Sequence, residues 1–575
     1  MPGMYVTKVP NRKSPPAILL RESYREDGKV KNRTLANLTD WPAARVAALK
    51  RVLKDETVVG LDETFEIVRS RPHGHVAAVR GTLRRLGLHK VLAARNSRKR
   101  DLVEAMIVAR LVDPRSKLAT ARGLDEASAF SSLGAELSLG DVEVHELYDA
   151  LDWLVGRQPA IEKALAGRHL AAGGLALYDL SSSWFEGRHC PLAKLGYPRG
   201  GGQGKLQVNF GVLCNEDGCP VAIEVFPGNT GDPSTVSTQV DKVRDRFGLD
   251  NVVFVGDRGM LTSARIREDL KPQNMDWISS LRAPQIRQLE AAGAFQLSLF
   301  DEQDLAEVTH SSFPGERLVV CKNPLLAAER RRKRGELLDA TEKKLTALHR
   351  ATQRVSRPLR GKEKIGVRLG RVLERSKMGK HFELDITEDS FSFRRNEESI
   401  TAEAALDGIY VIRTSVDSDR LSATQVVAAY KALHHVERAF RCHKTVDLHI
   451  RPIHHREPDR VRAHFLLCFL SYYVEWHMRR ALAPLMFDDH DRAGAAAKRR
   501  TIVAPAQRSE AALQKAASKR TEDEYPVHSF RTLLADLSTI TRNTIRSDAT
   551  GLEFERTTRP TPLQARALQL LEVSV

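Results

Sequence analysis

The stretch from about residue 174 to 282 restricts the fold more than any other part of the chain, because short apolar runs alternate there with turn residues in a definite order. Residues 175–180, 206–214 and 221–226 read as three consecutive strands, the last two joined through Asn215-Glu216-Asp217-Gly218. A helix over 233–247, a strand over 252–255, a helix over 263–270 and a strand over 277–281 follow. The order β-β-β-α-β-α-β predicts an α/β fold: a mixed sheet with helices on both faces.

That order is the one a ribonuclease H-like core uses, apart from a last helix that does not follow at once. Residues 283–415 intervene as a large insertion. Its basic segment begins Glu329-Arg-Arg-Arg-Lys-Arg, yet Leu337, Leu338, Thr341, Leu345 and Leu348 keep helical spacing, and Pro358 suggests a break between two helices. Residues 382–386 and 408–412 read as strands. Such periodicity favours a folded insertion reaching over the site rather than a flexible linker. The core then resumes over 416–481 after its first part at 173–282, and a C-terminal region covers 482–575. Ahead of it, residues 1–55 read as an N-terminal β unit with a β-hairpin at Asp27-Gly28, and 56–172 as a helical domain rich in Leu, Ala and Arg.

The chain has 575 residues and a net charge of +17, from 90 Lys and Arg against 73 Asp and Glu, which favours a polyanionic partner. DNA or RNA is the leading candidate, and a merely soluble basic protein is the alternative. Arg98-Lys99-Arg100 precede a helix over 101–112, where they could meet phosphates or simply face water. The six cysteines form no Cys-x2-Cys pair, so a reducing cytoplasm is expected rather than a disulfide framework or a zinc site. The longest apolar stretch, 465–474, is too short to span a bilayer and reads as a buried helix, so no membrane association is expected.

Three carboxylates stand out. Asp179 ends Gly-Leu-Ala-Leu-Tyr-Asp, Asp257 ends Val-Val-Phe-Val-Gly-Asp, and Glu437 lies in a helical pattern over 422–444 that opens with the capping box Ser422-Ala-Thr-Gln425. Hard oxygen ligands of this kind hold Mg²⁺ or Mn²⁺ against a phosphodiester. On a continuous helix Tyr430, Leu433, Glu437 and Lys444 form one stripe, so a hydroxyl and an ammonium would flank the glutamate and grip phosphates. Each residue alone has an ordinary explanation, a solvated glutamate or a turn-forming aspartate. The conjunction does not. Arg258 could bind phosphate or pair with Glu186 or Asp232; Trp184 and Trp277 read chiefly as core; His434, His435 and His443 read as surface residues.

The blocks Tyr178-Asp-Leu-Ser-Ser-Ser-Trp-Phe-Glu-Gly, Leu206-Gln-Val-Asn-Phe-Gly-Val-Leu, Phe226-Pro-Gly-Asn-Thr-Gly-Asp, Val255-Gly-Asp-Arg-Gly-Met and Tyr430 to Lys444 resemble IS1634-type transposases of the IS4-like DDE insertion sequences. The resemblance extends over nearly the whole chain, from the Tyr-Arg-Glu-Asp-Gly-Lys-Val hairpin to the Thr561-Pro-Leu-Gln-Ala-Arg tail. It implies a ribonuclease H-like catalytic domain in which Asp179, Asp257 and Glu437 are the catalytic, metal-binding triad. Two Mg²⁺ or Mn²⁺ ions per active site follow, with Tyr430 and Lys444 matching a Tyr-x2-Arg-x3-Glu-x6-Lys signature. Leu433 stands where that signature has Arg, and Gly196-Tyr-Pro-Arg-Gly-Gly-Gly departs from the family at Pro198 and Gly200. The resemblance further implies binding of terminal inverted repeats in double-stranded DNA through the helical domain, strand cleavage and 3′-hydroxyl transfer by a homodimer or higher synaptic complex at the bacterial nucleoid. A ribonuclease H-like nuclease without strand transfer, and an inactive DNA-binding derivative, are the alternatives.

Overall fold

A computed structural model describes residues 3–11, 15–54, 65–197, 199, 204–296, 300, 304–499, 501–547 and 551–575. Pro198 and Gly200 thus lie outside the described residues. The chain divides into two units, one of residues 72–540 with 560–575, the other of 1–71 with 541–559.

The larger unit begins with helices α1 (Gly74–Arg85), α2 (Arg98–Val112), α3 (Lys117–Leu124) and α4 (Val144–His169). Ser97 and Ser116 start α2 and α3 by accepting the backbone N–H of Arg100 and Ala119, which would otherwise lack a partner in the first turn. Strands β1 (Leu175–Trp184), β2 (Gln207–Cys214) and β3 (Pro220–Pro227) then form an antiparallel meander. A helical crossover over 232–246 returns the chain to β4 (Val253–Val255), parallel to β1, and a second over 263–270 leads to β5 (Asp276–Ser280), parallel to β4.

The insertion continues this sheet instead of leaving it. It supplies β6 (Leu305–Val308) and β7 (Arg317–Lys322), then α5 (Pro324–Thr352), α6 (Lys362–Ser376), the hairpin of β8 (Phe382–Ile386) and β9 (Phe391–Arg395), and finally β10 (Ile409–Thr414). β10 pairs antiparallel with β5, and the eight strands run β6-β7-β10-β5-β4-β1-β2-β3. The remainder has its own apolar cluster, with Leu338 and Leu345 of α5, Ile365 of α6, Phe382 and Phe391 all buried. Leu338, Leu345 and Leu348 of the basic segment face this cluster while Leu337 is exposed, and α5 and α6 fall on either side of Pro358.

After β10 come α7 (Ala423–Lys431), α8 (His434–Arg441) and α9 (Pro458–Leu482). The apolar stretch 465–474 is the middle of α9 and is buried throughout. α9 packs against α2, α4 and β3, so the helices ahead of the sheet and the sheet itself share one core. At about 1.5–3 kcal/mol for each fully buried large apolar side chain, α9 is the main adhesive between them. No helix among the described residues is long and apolar enough to cross a membrane. All six cysteines are buried and free.

The smaller unit contains two three-stranded sheets. In one, Ala17–Glu26 and Lys29–Asn37 form the hairpin read from Asp27-Gly28; both turn residues have positive φ, 51° and 76°, as a two-residue loop matching strand twist requires. The other joins Phe65–Pro72 to Thr541–Ser547 and Glu553–Thr557, from opposite ends of the chain.

Candidate active site

The parallel pairing of β1 with β4 places Leu177 opposite Val255, so Asp179 and Asp257 each lie two residues beyond a matched pair. Their side chains therefore leave neighbouring strands at the same level. Asp179 is half-buried and its Oδ1 accepts the N–H of Leu180 at 2.8 Å. Asp257 is exposed; its Oδ1 accepts the N–H groups of Gly259 and Met260 at 2.9 and 2.8 Å, an aspartate turn that fixes the carboxylate after the strand.

Glu437 comes to this pair on α8, which packs across β1 and β2 through Phe440, edge-on to Phe210 at 5.3 Å. Gly218 in the β2–β3 turn makes the approach possible. Its φ is +81°, and a Cβ there would collide with the side chain of His435. Burial raises the Asp179 carboxyl to about 7, with Asp257, Glu437 and Asp232 adding repulsion. Asp179 thus senses both other carboxylates of the predicted triad. Among the described residues none of the three has an ion-pair partner.

The continuous helix expected over 422–444 is not formed. α7 ends at Lys431, Leu433 caps α8, and a π-helical turn, Cys442–Val446, carries Lys444. The break redirects the flanking groups. Tyr430 reaches β5, where its hydroxyl shares a 2.7 Å hydrogen bond with Ser280, while Lys444 donates to Ser181 of β1 at 2.6 Å. They stand at opposite ends of the row β5-β4-β1, with the carboxylates between them. Burial raises the Tyr430 hydroxyl above its ordinary value, and burial with Arg451 and Arg199 lowers Lys444 to about 8 against the opposing pull of Asp179. Ser181 and Ser280 were not singled out by the sequence, although Ser181 follows Asp179 by two residues and so shares its face of β1.

Arg258 is exposed and takes neither expected partner: Asp232 pairs with Arg199, and Glu186 accepts the N–H of Ile453 at 2.7 Å. It lines a hollow of about 300 Å³ with Asp257, Tyr430 and Arg330, the last the first arginine of the basic insertion segment, which the sequence did not tie to the site. Of the basic run, Arg98 is held by Glu146 and by the carbonyls of Leu139 and Asp141, Arg100 is buried beside Asp101, and Lys99 is exposed. Trp277 is buried, whereas Trp184 is half-buried between Lys205 and Arg451, 4.3 and 4.7 Å from its ring. His443 corrects the surface expectation. It is fully buried, with Nδ1 bonded to the Ala439 carbonyl, because the π-turn folds it inward against Phe210 and Tyr472.

The donor set is all oxygen, open to solvent at Asp257 and Glu437, and carries unrelieved like charge. It therefore suits a hard divalent cation. Donor atoms lie within 4.8 Å of one another in two different groups, His169–Cys219–His477 and Cys442–Asp447–Glu475, but not across Asp179, Asp257 and Glu437; in the second group Arg479 already bonds both carboxylates at 2.6 Å.

Residues 186–474 match the transposase DDE domain, and residues 5–59 match the N-terminal domain of IS1634 family transposases. The chain belongs to the IS1634-type DDE transposases. It is thus an insertion-sequence transposase of a DNA-processing family that works with divalent metal ions. No curated protein matches it. The DDE match contains Asp257 and Glu437, and Asp179 lies just ahead of its first residue.

Proposed function

We propose that this transposase binds the terminal inverted repeats of its element, cleaves the strand at each end and directs the freed 3′-hydroxyl at target DNA. Asp179, Asp257 and Glu437 are its catalytic residues. The observation that carries the reading is a pair of aspartates level with each other beyond the matched part of adjacent parallel strands, with Glu437 brought to them on α8. All three are without an ion-pair partner among the described residues and are flanked by a tyrosine hydroxyl and an ammonium. The strand order β3-β2-β1-β4-β5 followed by the delayed α8 supports a ribonuclease H-like catalytic domain.

In this reading the three carboxylates hold two Mg²⁺ or Mn²⁺ ions, which when bound supply the positive charge that an in-line displacement at phosphorus needs. The protein's own groups do the rest. Lys444, anchored on Ser181, and Tyr430, anchored on Ser280, grip the phosphates on either side of the scissile one, and Arg258 faces the same hollow as Asp257. Recognition of the element ends falls to the helical region 56–172, with Lys99 its exposed basic contact. The insertion and the region after residue 482 clamp DNA or join protomers in a dimeric or larger synaptic complex at the nucleoid.

Purified protein with Mg²⁺ and a labelled duplex bearing the element's end tests this. Asp179→Asn, Asp257→Asn and Glu437→Gln should each abolish cleavage while leaving DNA binding intact. Normal cutting by any one of them would remove that residue from the triad. Joined products with target DNA separate a transposase from a nuclease that only cuts.

A further inference from the structure

A hollow of about 470 Å³ opens between the start of α3, the segment 449–457 and the start of α9. Two cations line it from within. Lys117 is 7% exposed and Arg110 8%, and neither has an ion pair or hydrogen bond to a described residue. Two of the cations at the edge are committed elsewhere, Arg115 to Asp113 and Arg460 to Asp152, while Arg456 is exposed. Glu457, the one lining carboxylate, is exposed. The buried ring of His464 gives Nε2 to the Ile450 carbonyl at 2.8 Å and leaves Nδ1 without a partner.

A buried cation without a counter-charge is costly, and a protein that keeps two side by side lacks the anion that would compensate them. Burial, with Arg110 adding repulsion, holds the Lys117 ammonium down to about 7. The backbone points the same way. α3 begins at Lys117 and α9 at Pro458, so two helix N-termini, each carrying partial positive charge, meet at the hollow. Arg451 connects the hollow to the carboxylates: it lines the hollow, lies over Trp184 at the end of β1, and is one of the charges that lower Lys444.

We propose that the hollow is a phosphate-binding subsite, with Lys117 and Arg110 as its paired cations, that takes a backbone phosphate of the DNA strand held at the carboxylates. The DNA assignment rests on the transposase reading; the phosphate chemistry does not.

The full-length protein provides the test. In thermal unfolding at pH 7.5, millimolar inorganic phosphate should raise the Tm of the unmodified protein above that in chloride of equal ionic strength. Lys117→Met should have a higher Tm in chloride, because the cost of burying the amine, as a charge or by stripping its proton, is gone, and should lose the phosphate response. Arg110→Gln should reduce that response and serves if the first variant does not fold. With a 30-base-pair duplex, Lys117→Met should bind several-fold more weakly, and the slope of log K against log salt should fall by about 1, the loss of one phosphate contact. A lower Tm in chloride, or an undiminished phosphate response, would make Lys117 structural and overturn the subsite. A lost phosphate response with an unchanged DNA slope would overturn the DNA assignment. Cleavage that survives the carboxylate substitutions would refute the transposase mechanism and leave the phosphate response untouched.

Discussion

Asp179, Tyr430 and Lys444 show how single residues prepare the site. Charge on Asp179 is opposed by burial and by Asp257 and Glu437, so a divalent cation should stabilise the folded state through it. Millimolar Mg²⁺ or Mn²⁺ is expected to raise the Tm of the unmodified protein by several degrees, and the shift should largely vanish in Asp179→Asn. An equal shift in both would place the cation elsewhere. Tyr430→Phe removes a hydroxyl that Ser280 aims and should reduce cleavage about tenfold, the loss of roughly 1.4 kcal/mol from one phosphate hydrogen bond, with little change in Tm. The aspartates stood out in the sequence because each follows an apolar run, although β1 continues past Asp179 to Trp184. Ser181 and Ser280 did not, since serines in strands are common and only the folded sheet shows which ones meet Lys444 and Tyr430.

Among the elements, α8 is the one on which the site depends, and the turn beneath it is the point of least tolerance. Gly218→Ala places a Cβ against His435 and a side chain at φ +81°, a strain of about 1–3 kcal/mol. The turn or α8 must move, so cleavage should fall together with Tm; full activity with normal stability would show that α8 tolerates displacement. In the insertion, Leu345→Ala should cost about 2–5 kcal/mol in a cluster separate from the sheet's core. Hydrogen exchange should then rise in α5, α6 and the β8–β9 hairpin while β1, β2 and α9 stay protected. The spacing of Leu338 and Leu345 announced this helix correctly. It could not announce that α7 and α8 are separate, because Val427, Leu433, Val436 and Phe440 fit an unbroken helix equally well, and the break at Leu433 is set by what Tyr430 and Lys444 contact.

At the scale of the molecule, buried neutral histidines set the acid limit. Burial is the first cause that lowers His75, His443, His455 and His477, each to about 4, from an ordinary 6.5. The unfolded chain then binds more protons than the folded one between these values. Stability should therefore be intact above about pH 6.5 and fall as pH drops toward 4. Urea midpoints measured from pH 7.5 to 4.5 check this; a flat profile would mean that the rings take up protons without unfolding. His443 contributes because it is buried at the π-turn, a placement its sequence neighbours did not reveal.

The sequence alone ended β1 at Leu180 where the strand runs on to Trp184, and so put Asp179 at its end rather than in its middle. It did determine the chain order of elements over 174–282, an aspartate just past β4, the ordered insertion and the hairpin at Asp27-Gly28. These are local consequences of apolar periodicity and turn chemistry, which act over a few residues. The tertiary structure decided that 541–557 completes a sheet with 65–72, that the insertion lengthens the main sheet by three strands, and that α9 joins helices and sheet in one core. It also decided that Lys117 and Arg110 lie buried side by side near Arg451. Each of these needs partners far apart along the chain, and whether a lysine is solvated or buried beside a second cation depends on what else packs there, which no local pattern encodes.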